Sequence, residues 1–298
     1  MDTYSAGKGM SETIRTSCEI ERRDRSYRVH NLDCVAGMNR MLEPDSVDVV
    51  VTSPPYNLGT GYKSYDDSMA RNDYVSFMGS WGEAVKRVLK PDGSVFLNMS
   101  GKPSDPWGPF EVLFELRAHF QVQNIIHWIK SVAIQKEDVG RYPGISGNVS
   151  VGHYKPINSQ RYLNDCHEYI FHLTKTGDVP LDRLAVGVEY QDKSNVKRWH
   201  GARADLRCRG NTWFVPYKTI QSRDKERPHP ATFPVKIPEM CIRLHGLEKK
   251  PLVLDPFLGI GSTARACLEL ELDFVGFEID ESYFRESVQM LEDGPPGK

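Results

Sequence analysis

The chain has 298 residues, of which 39% are hydrophobic and 26% charged, and it carries a net charge of −2. That length permits one large α/β domain, or one domain plus a sizeable insertion, and the composition excludes a disordered or fibrous chain. No apolar run is long enough to span a bilayer, Met1–Ser17 lacks the apolar stretch of a signal peptide, and six scattered cysteines without a C-x-x-C pair argue for reduced thiols rather than zinc, so a cytoplasmic protein without a metal is expected.

Residues 1–26 read as a flexible tail, and so does Gly294–Lys298. Tyr27–Asp33 alternates apolar and polar residues and predicts a strand that ends in an acid. A short helix follows over Cys34–Leu42. Val47–Val51 is β-branched apart from Asp48, as expected of a strand buried on both faces. Tyr56–Asp73, rich in Gly, Ser, Asp and Tyr, predicts a mobile loop. Val75, Met78, Trp81, Val85 and Leu89 recur at helical spacing across Tyr74–Leu89. Lys90–Gly93 is a turn, and Ser94–Met99 the next strand. Phe110–His119 predicts a helix and Val122–Ile129 a strand.

Residues 131–165 lack periodicity, and a stretch of that length is usually functional or disordered. His167–Leu173 returns to a strand pattern. Residues 191–227 hold ten Lys or Arg against four acids, a local excess that would attract a phosphate backbone, although a solvated charged face fits it too. Trp199 and Trp213 lie among these charges, either to touch nucleic acid or to pack within the insertion. Pro234–Leu244 is a helix. The last unit is strand Leu252–Asp255, a Gly-rich turn, helix Ser262–Leu270, strand Phe274–Glu278 and helix Glu281–Leu291. Strands alternating with helices predict a doubly wound, mostly parallel α/β sheet.

The final unit has the parts of a nucleoside-cofactor site. Gly259 and Gly261 allow a tight turn and a close ligand approach, and the N–H groups that start the next helix lie open. Glu278 ends the following strand, 23 residues after Asp255, a separation that suits bonding to ribose hydroxyls. A lone Gly-x-Gly also fits any tight βα turn. No Lys follows the glycines, so the turn is not a phosphate loop. Asp255 would repel a pyrophosphate but suits a ligand with an ammonium group, which favours S-adenosylmethionine over NAD. Phe257, Ser262 and Thr263 complete this candidate cofactor segment.

Thr52-Ser53-Pro54-Pro55-Tyr56-Asn57 follows the Val47–Val51 strand and reads as the reactive segment. Exocyclic amines of nucleobases are poor nucleophiles because the lone pair is delocalised into the ring. Acceptors placed around the NH₂ group favour its tetrahedral form and stabilise the charge that develops there. Ser53 Oγ and the Pro54 carbonyl are such acceptors, and the two prolines stiffen the backbone. Tyr56 can stack on an extruded base, since base chemistry inside a duplex requires flipping. The plainer reading is that Pro54 and Pro55 only end a strand. Cys166-His167-Glu168 holds part of a deaminase-like His-x-Glu, but no Pro-Cys-x-x-Cys follows, so it reads as a pair at a strand end.

With Ser-Pro-Pro-Tyr first and Asp-Pro-Phe-Leu-Gly-Ile-Gly-Ser-Thr last, nearly the whole chain resembles the β group of amino-directed DNA methyltransferases, in their circularly permuted motif order. Arg87–Gly93, Trp128–Lys130, His167–Ile170, His229–Pro234 and Phe277–Asp280 are similar to further segments of that family. The resemblance implies a Rossmann-like methyltransferase domain over 27–175 and 229–293, with a target-recognition insertion over 176–228. It implies S-adenosylmethionine held by Asp33, Phe233, Asp255, Phe257, Gly259, Gly261, Ser262, Thr263 and Glu278. Its catalytic segment would be Ser53, Pro54, Pro55 and Tyr56. Double-stranded DNA would be bound through Lys155, Arg161, Lys197, Arg198, Arg207, Arg209 and Arg223, with phosphate contact and a solvated loop as equal readings for Lys155 and Arg161. A homodimer, and a restriction endonuclease that shares the target without touching this chain, are compatible with it. Serine in place of Asp at position 53 accompanies cytosine-N4 specificity in that family, while Tyr56-Asn57 is shared with adenine-N6 enzymes. The alternatives are adenine methylation, methylation of RNA or a protein amide, and a non-catalytic DNA-binding protein of the same fold.

Overall fold

A computed structural model of the chain describes residues 16–62, 65–152, 159–197, 205–216 and 233–294. The first hairpin pairs β1 (Ser17–Arg22) with β2 (Arg25–His30). Helix α1 (Cys34–Met41), β3 (Val47–Thr52), α2 (Arg71–Val88), β4 (Leu89–Met99), α3 (Gly108–Leu116) and β5 (Gln121–Ile129) come next. A small hairpin, β6 (Val132–Ile134) with β7 (Val149–Val151), encloses α4 (Lys136–Val139). Strand β8 (His167–Thr174) returns to the core. The short pair β9 (Val188–Glu189) and β10 (Leu206–Arg207) and then β11 (Thr212–Phe214) follow. The chain closes with α5 (Lys236–His245), β12 (Val253–Asp255), α6 (Ser262–Leu270), β13 (Phe274–Phe277) and α7 (Glu281–Asp293).

Nine strands form one sheet in the order β1-β2-β13-β12-β3-β4-β8-β5-β11. From β2 to β4 neighbouring strands run parallel, while β8 runs against both β4 and β5. The doubly wound parallel sheet expected from the alternating pattern is therefore present. The order of succession reverses between the parallel strands β3 and β12: β3 is followed outward by β4, and β12 by β13 on the other side. Such a switch point opens a crevice at the carboxyl ends of the strands.

The β-branched run Val47–Thr52 is explained by its two covered faces. Val49 and Val51 join a core shared with Met240, Cys241, Ala264 and Phe284 from α5, α6 and α7. Val50, between them, joins the opposite core with Met38, Met78, Trp81 and Val112 from α1, α2 and α3. Helix α2 buries Met78, Trp81 and Val85 of the predicted stripe together with Tyr74 and Val88, while Val75 is half-buried and Leu89 begins β4. Its Arg87 donates to the carbonyls of Met38 and Leu42, tying the end of α1 to the end of α2.

Four expectations need correction. The tail expected to reach residue 26 gives way at Ser17 to strand β1, which buries Cys18. Its turn carries Arg23 at φ 52° and Asp24 at φ 59°, a hairpin turn without the Gly or Asn that usually marks one. Lys90–Gly93 does not precede β4 but lies inside it, where the pairing with β3 slips between Val47 and Val49. Tyr56–Asp73 is more organised than a loop of small polar residues suggests. Asp67, 2% exposed, accepts from the N–H groups of Asn57, Leu58 and Thr60. The region 176–228 is in part core: β11 extends the sheet beside β5, and Val179, Val186 and Trp213 are buried.

Candidate active site

The site forms where β3, β12 and β13 end. After β12 the turn requires its glycines: Gly259 has φ 54° and Gly261 φ 92°, conformations that cost other residues strain. A Cβ on Gly261 would also meet Met290 Cε at 2.6 Å. Asp255, at the end of β12, is 1% exposed and turned inward. Thr52 Oγ1 donates to its Oδ1 at 2.6 Å, Thr263 Oγ1 donates to its Oδ2 at 2.6 Å, and the Phe257 N–H donates to Oδ1 at 3.1 Å. It thus clamps the ends of β3 and β12 to the start of α6. Burial pushes its carboxyl up to about 6, against the pull of these donors.

Glu278, just past β13, faces the same turn. The Gly259 N–H donates to Oε2 at 2.7 Å, and the Asp280 N–H donates to Oε1 at 2.8 Å. A carboxylate oxygen accepts more than one hydrogen bond, so each keeps acceptor capacity for a ligand. Burial pushes this carboxyl up to about 7; the two N–H donors oppose the shift, and the charges of Asp280 and Asp255 add to it.

The reactive segment is fixed by its neighbours. Tyr74 Oη donates to the Pro55 carbonyl at 2.7 Å, and Pro54 is buried. Asn57 takes φ 57°, a left-handed conformation that Asn tolerates well, and its side chain donates to the Met69 carbonyl. Ser53 Oγ lies 2.9 Å from Tyr56 Oη, which donates to Glu168 Oε2 at 3.0 Å. Asn98 Nδ2 donates to both Tyr56 Oη and Glu168 Oε2, at 2.6 and 2.7 Å. Lys130 Nζ pairs with Glu168 Oε1 at 3.0 Å.

A cavity of about 360 Å³ joins the two segments, within the roughly 300–1,000 Å³ of small-molecule sites. Of the expected cofactor residues, Asp33, Phe233, Asp255, Phe257, Gly259, Ser262 and Glu278 line it. Gly261 and Thr263 are not in its wall: Gly261 shapes the turn, and Thr263, fully buried, spends its hydroxyl on Asp255. Asp255 both lines the cavity and acts as a clamp, its two oxygens accepting from Thr52, Thr263 and Phe257. Asp33 Oδ1 caps α1 by accepting from the Ala36 N–H at 2.9 Å. Ser53 and Pro55 line the cavity, whereas Tyr56 turns its hydroxyl towards Glu168. Leu32, Tyr62, Phe77 and Ile260 add apolar wall that the sequence did not single out.

Among the basic residues expected to meet DNA, Arg207 is exposed, and Arg161 is exposed over the Tyr162 ring at 5.1 Å. Arg209 differs: its Nε donates to the Val186 carbonyl at 2.9 Å, so it braces the fold. Lys155, Arg198, Arg223, Trp199, the segment His229–Thr232 and the side chain of Lys197 lie outside the described residues. Trp213 resolves to packing, at 1% exposure. Sequence reasoning does not single out Asn98, and it reads Glu168 and Lys130 only as part of a strand-end pair and of core strands. A polar residue in an apolar strand run, as at Asn98 and Glu168, is the available signal.

A family model described as DNA methylase matches residues 47–289. The type II methyltransferase M.HpaI of Haemophilus parainfluenzae is 27% identical over 254 residues, covering 84% of this chain and 70% of its own. M.BglII of Bacillus subtilis is 28% identical over 274 residues, covering 87% and 68%. Among solved structures, a PvuII DNA methyltransferase described as cytosine-N4-specific superposes with a TM-score of 0.60 at 21% identity, over 87% of this chain and 84% of that one. A DNA modification methylase described as putative, from Thermus thermophilus and in complex with S-adenosyl-L-methionine, superposes with a TM-score of 0.57 at 19% identity, over 91% and 96%. These two likenesses show the shared fold.

Proposed function

This chain belongs to the DNA methylase family, and on that premise we propose that it transfers a methyl group from S-adenosylmethionine to the N4 amine of a cytosine flipped out of duplex DNA. The observation that carries the reading is the single cavity walled by both Ser53 and Glu278. The cofactor fits the residues present. Glu278 offers acceptor capacity on two oxygens to ribose hydroxyls, Asp33 stands by the adenine end, and Phe233 and Ser262 stand by the methionine end. Ser262 Oγ donates to the Phe233 carbonyl at 2.9 Å, which holds those two together. When bound, S-adenosylmethionine supplies an electrophilic methyl group on a sulfonium. Ser53 Oγ and the Pro54 carbonyl accept from the amine, the Pro55 carbonyl being engaged by Tyr74. Tyr56 offers its ring to the extruded base.

Serine at position 53 supports cytosine. Asn57, which suggested adenine, has a structural reason of its own in its left-handed φ and its bond to Met69. Incubation with methyl-labelled cofactor and unmethylated duplex DNA, with RNA and peptide in parallel, tests the substrate class. Label in DNA is expected, and label only in RNA or peptide would overturn the reading.

Two further results are expected. Ribose hydroxyls bind the ionised form of Glu278, so below about 7 a proton must first be lost. Cofactor affinity should therefore be level above that pH and fall with decreasing pH below it, up to about tenfold per unit. Calorimetry across pH measures this, and Glu278→Gln should flatten the profile; a wild-type affinity that rises as pH falls would contradict it. Charge reversal at Arg161 and Arg207 should weaken DNA binding and lower the slope of log K against log salt by about one per lost phosphate contact. An unchanged slope would take these two side chains off the phosphates.

A further inference from the structure

Resting on the methyl-transfer reading above, we propose that Ser53, Tyr56 and Glu168 form a directed proton chain, with Glu168 as the positioning residue that sets its direction and as its terminal acceptor. Glu168 is 8% exposed, is not among the residues that wall the cavity, and is linked to Ser53 through Tyr56.

The direction follows from counting hydrogens. A carboxylate paired with Lys130 can only accept. Tyr56 has one hydroxyl hydrogen, and the carboxylate takes it at 3.0 Å. Ser53, 2.9 Å from the same phenol oxygen, must then be the donor in that contact. Its own lone pairs are left to accept from the N–H of the substrate amine. Asn98 supports the arrangement, because its NH₂ group faces both Tyr56 Oη and Glu168 Oε2. The opposite amide orientation would set Oδ1 against the carboxylate. Were Glu168 not an acceptor, Tyr56 could donate to Ser53 instead. The serine would then present a hydrogen to the amine, the wrong polarity for activating it.

The same chain removes the proton that a serine hydroxyl, a weak base, cannot hold. The amine nitrogen forms its bond to the methyl carbon as the carbon–sulfur bond breaks and its electron pair stays on sulfur. The nitrogen, now positive, gives a proton to Ser53 Oγ. Ser53 passes its original hydrogen to Tyr56 Oη, and Tyr56 passes its own to Glu168 Oε2. The positive charge of the methyl donor is thus cancelled on the carboxylate, which returns the proton to water after the product leaves.

The test compares wild type with Glu168→Gln, Glu168→Asp, Tyr56→Phe and the double variant Glu168→Gln/Tyr56→Phe. Single-turnover methylation, KM for DNA and calorimetric binding of S-adenosylhomocysteine are measured on each. Glu168→Gln and Tyr56→Phe should each slow transfer by about 10²-fold, in the range of positioned proton transfer, with KM and cofactor binding unmoved. Glu168→Asp should recover part of the rate. The links act in series, so the double variant should be no slower than the slower single one. Wild-type turnover in Glu168→Gln, or losses that multiply in the double variant, would overturn the chain while leaving the methylation reading intact. If Glu168→Gln fails to fold, Tyr56→Phe, which keeps the ring, decides: an undiminished rate there overturns the chain. A wild-type protein that methylates no DNA would overturn the underlying reading and the chain with it.

Discussion

Ser53→Ala should slow methyl transfer to DNA at least tenfold, and as much as about 10³-fold, while S-adenosylmethionine binding stays unchanged. The hydroxyl stands in the wall of the cavity, and its proton is committed to Tyr56 at 2.9 Å. Its lone pairs are therefore fixed in place before substrate arrives. An acceptor aimed at an amine that becomes positive in the transition state acts there more than in the ground state, so its loss appears in the rate rather than in binding. Single-turnover kinetics at saturating cofactor and DNA measure the effect. Normal turnover in this variant would remove Ser53 from the reaction and return Ser-Pro-Pro to the role of a strand terminator.

Glu278→Ala should weaken S-adenosylmethionine binding by more than tenfold and DNA binding much less. A carboxylate that accepts from ligand hydroxyls makes charge-assisted bonds, worth roughly 1.5–3 kcal/mol each. The same oxygens hold the Gly259 and Asp280 N–H groups, so the glycine turn would loosen as well. Glu278→Gln separates the two effects, since an amide oxygen can still accept from one of these N–H groups. Calorimetry with the cofactor, set beside anisotropy with a DNA duplex, gives both affinities. Equal cofactor affinity in the alanine variant would place the ribose elsewhere.

What could be read in advance was local. Val47–Thr52 shows its two covered faces in the consecutive valines 49–51, and the unit from Val253 to Glu278 shows strand, turn, helix, strand and acid within one short stretch. Features that depend on distant partners were hidden. That Asp255 also clamps two strand ends is hidden until Thr52, 203 positions away, is seen donating to it. The Glu168 network joins residues on β3, β4, β5 and β8 or just beyond their ends, and no spacing announces it. Strand β1 was missed because its turn of Arg23 and Asp24 has neither Gly nor Asn, leaving Asp24 as a weak turn signal among charged residues. The basic stretch was legible as charge but not as structure. Lys193 pairs with Glu189 and Asp205, and Arg209 with a backbone carbonyl, so part of that charge is spent within the fold.

The measurement closest to the central claim is the identity of the methylated base. DNA free of prior methylation is incubated with the protein and S-adenosylmethionine, digested to nucleosides and examined by mass spectrometry. N4-methylcytosine is the expected product, formed at least tenfold more slowly when Ser53→Ala replaces the wild type. N6-methyladenine alone would keep the fold and the methyl donor but contradict the assignment of Ser53 to a cytosine amine. DNA without any methylated base would contradict the function itself.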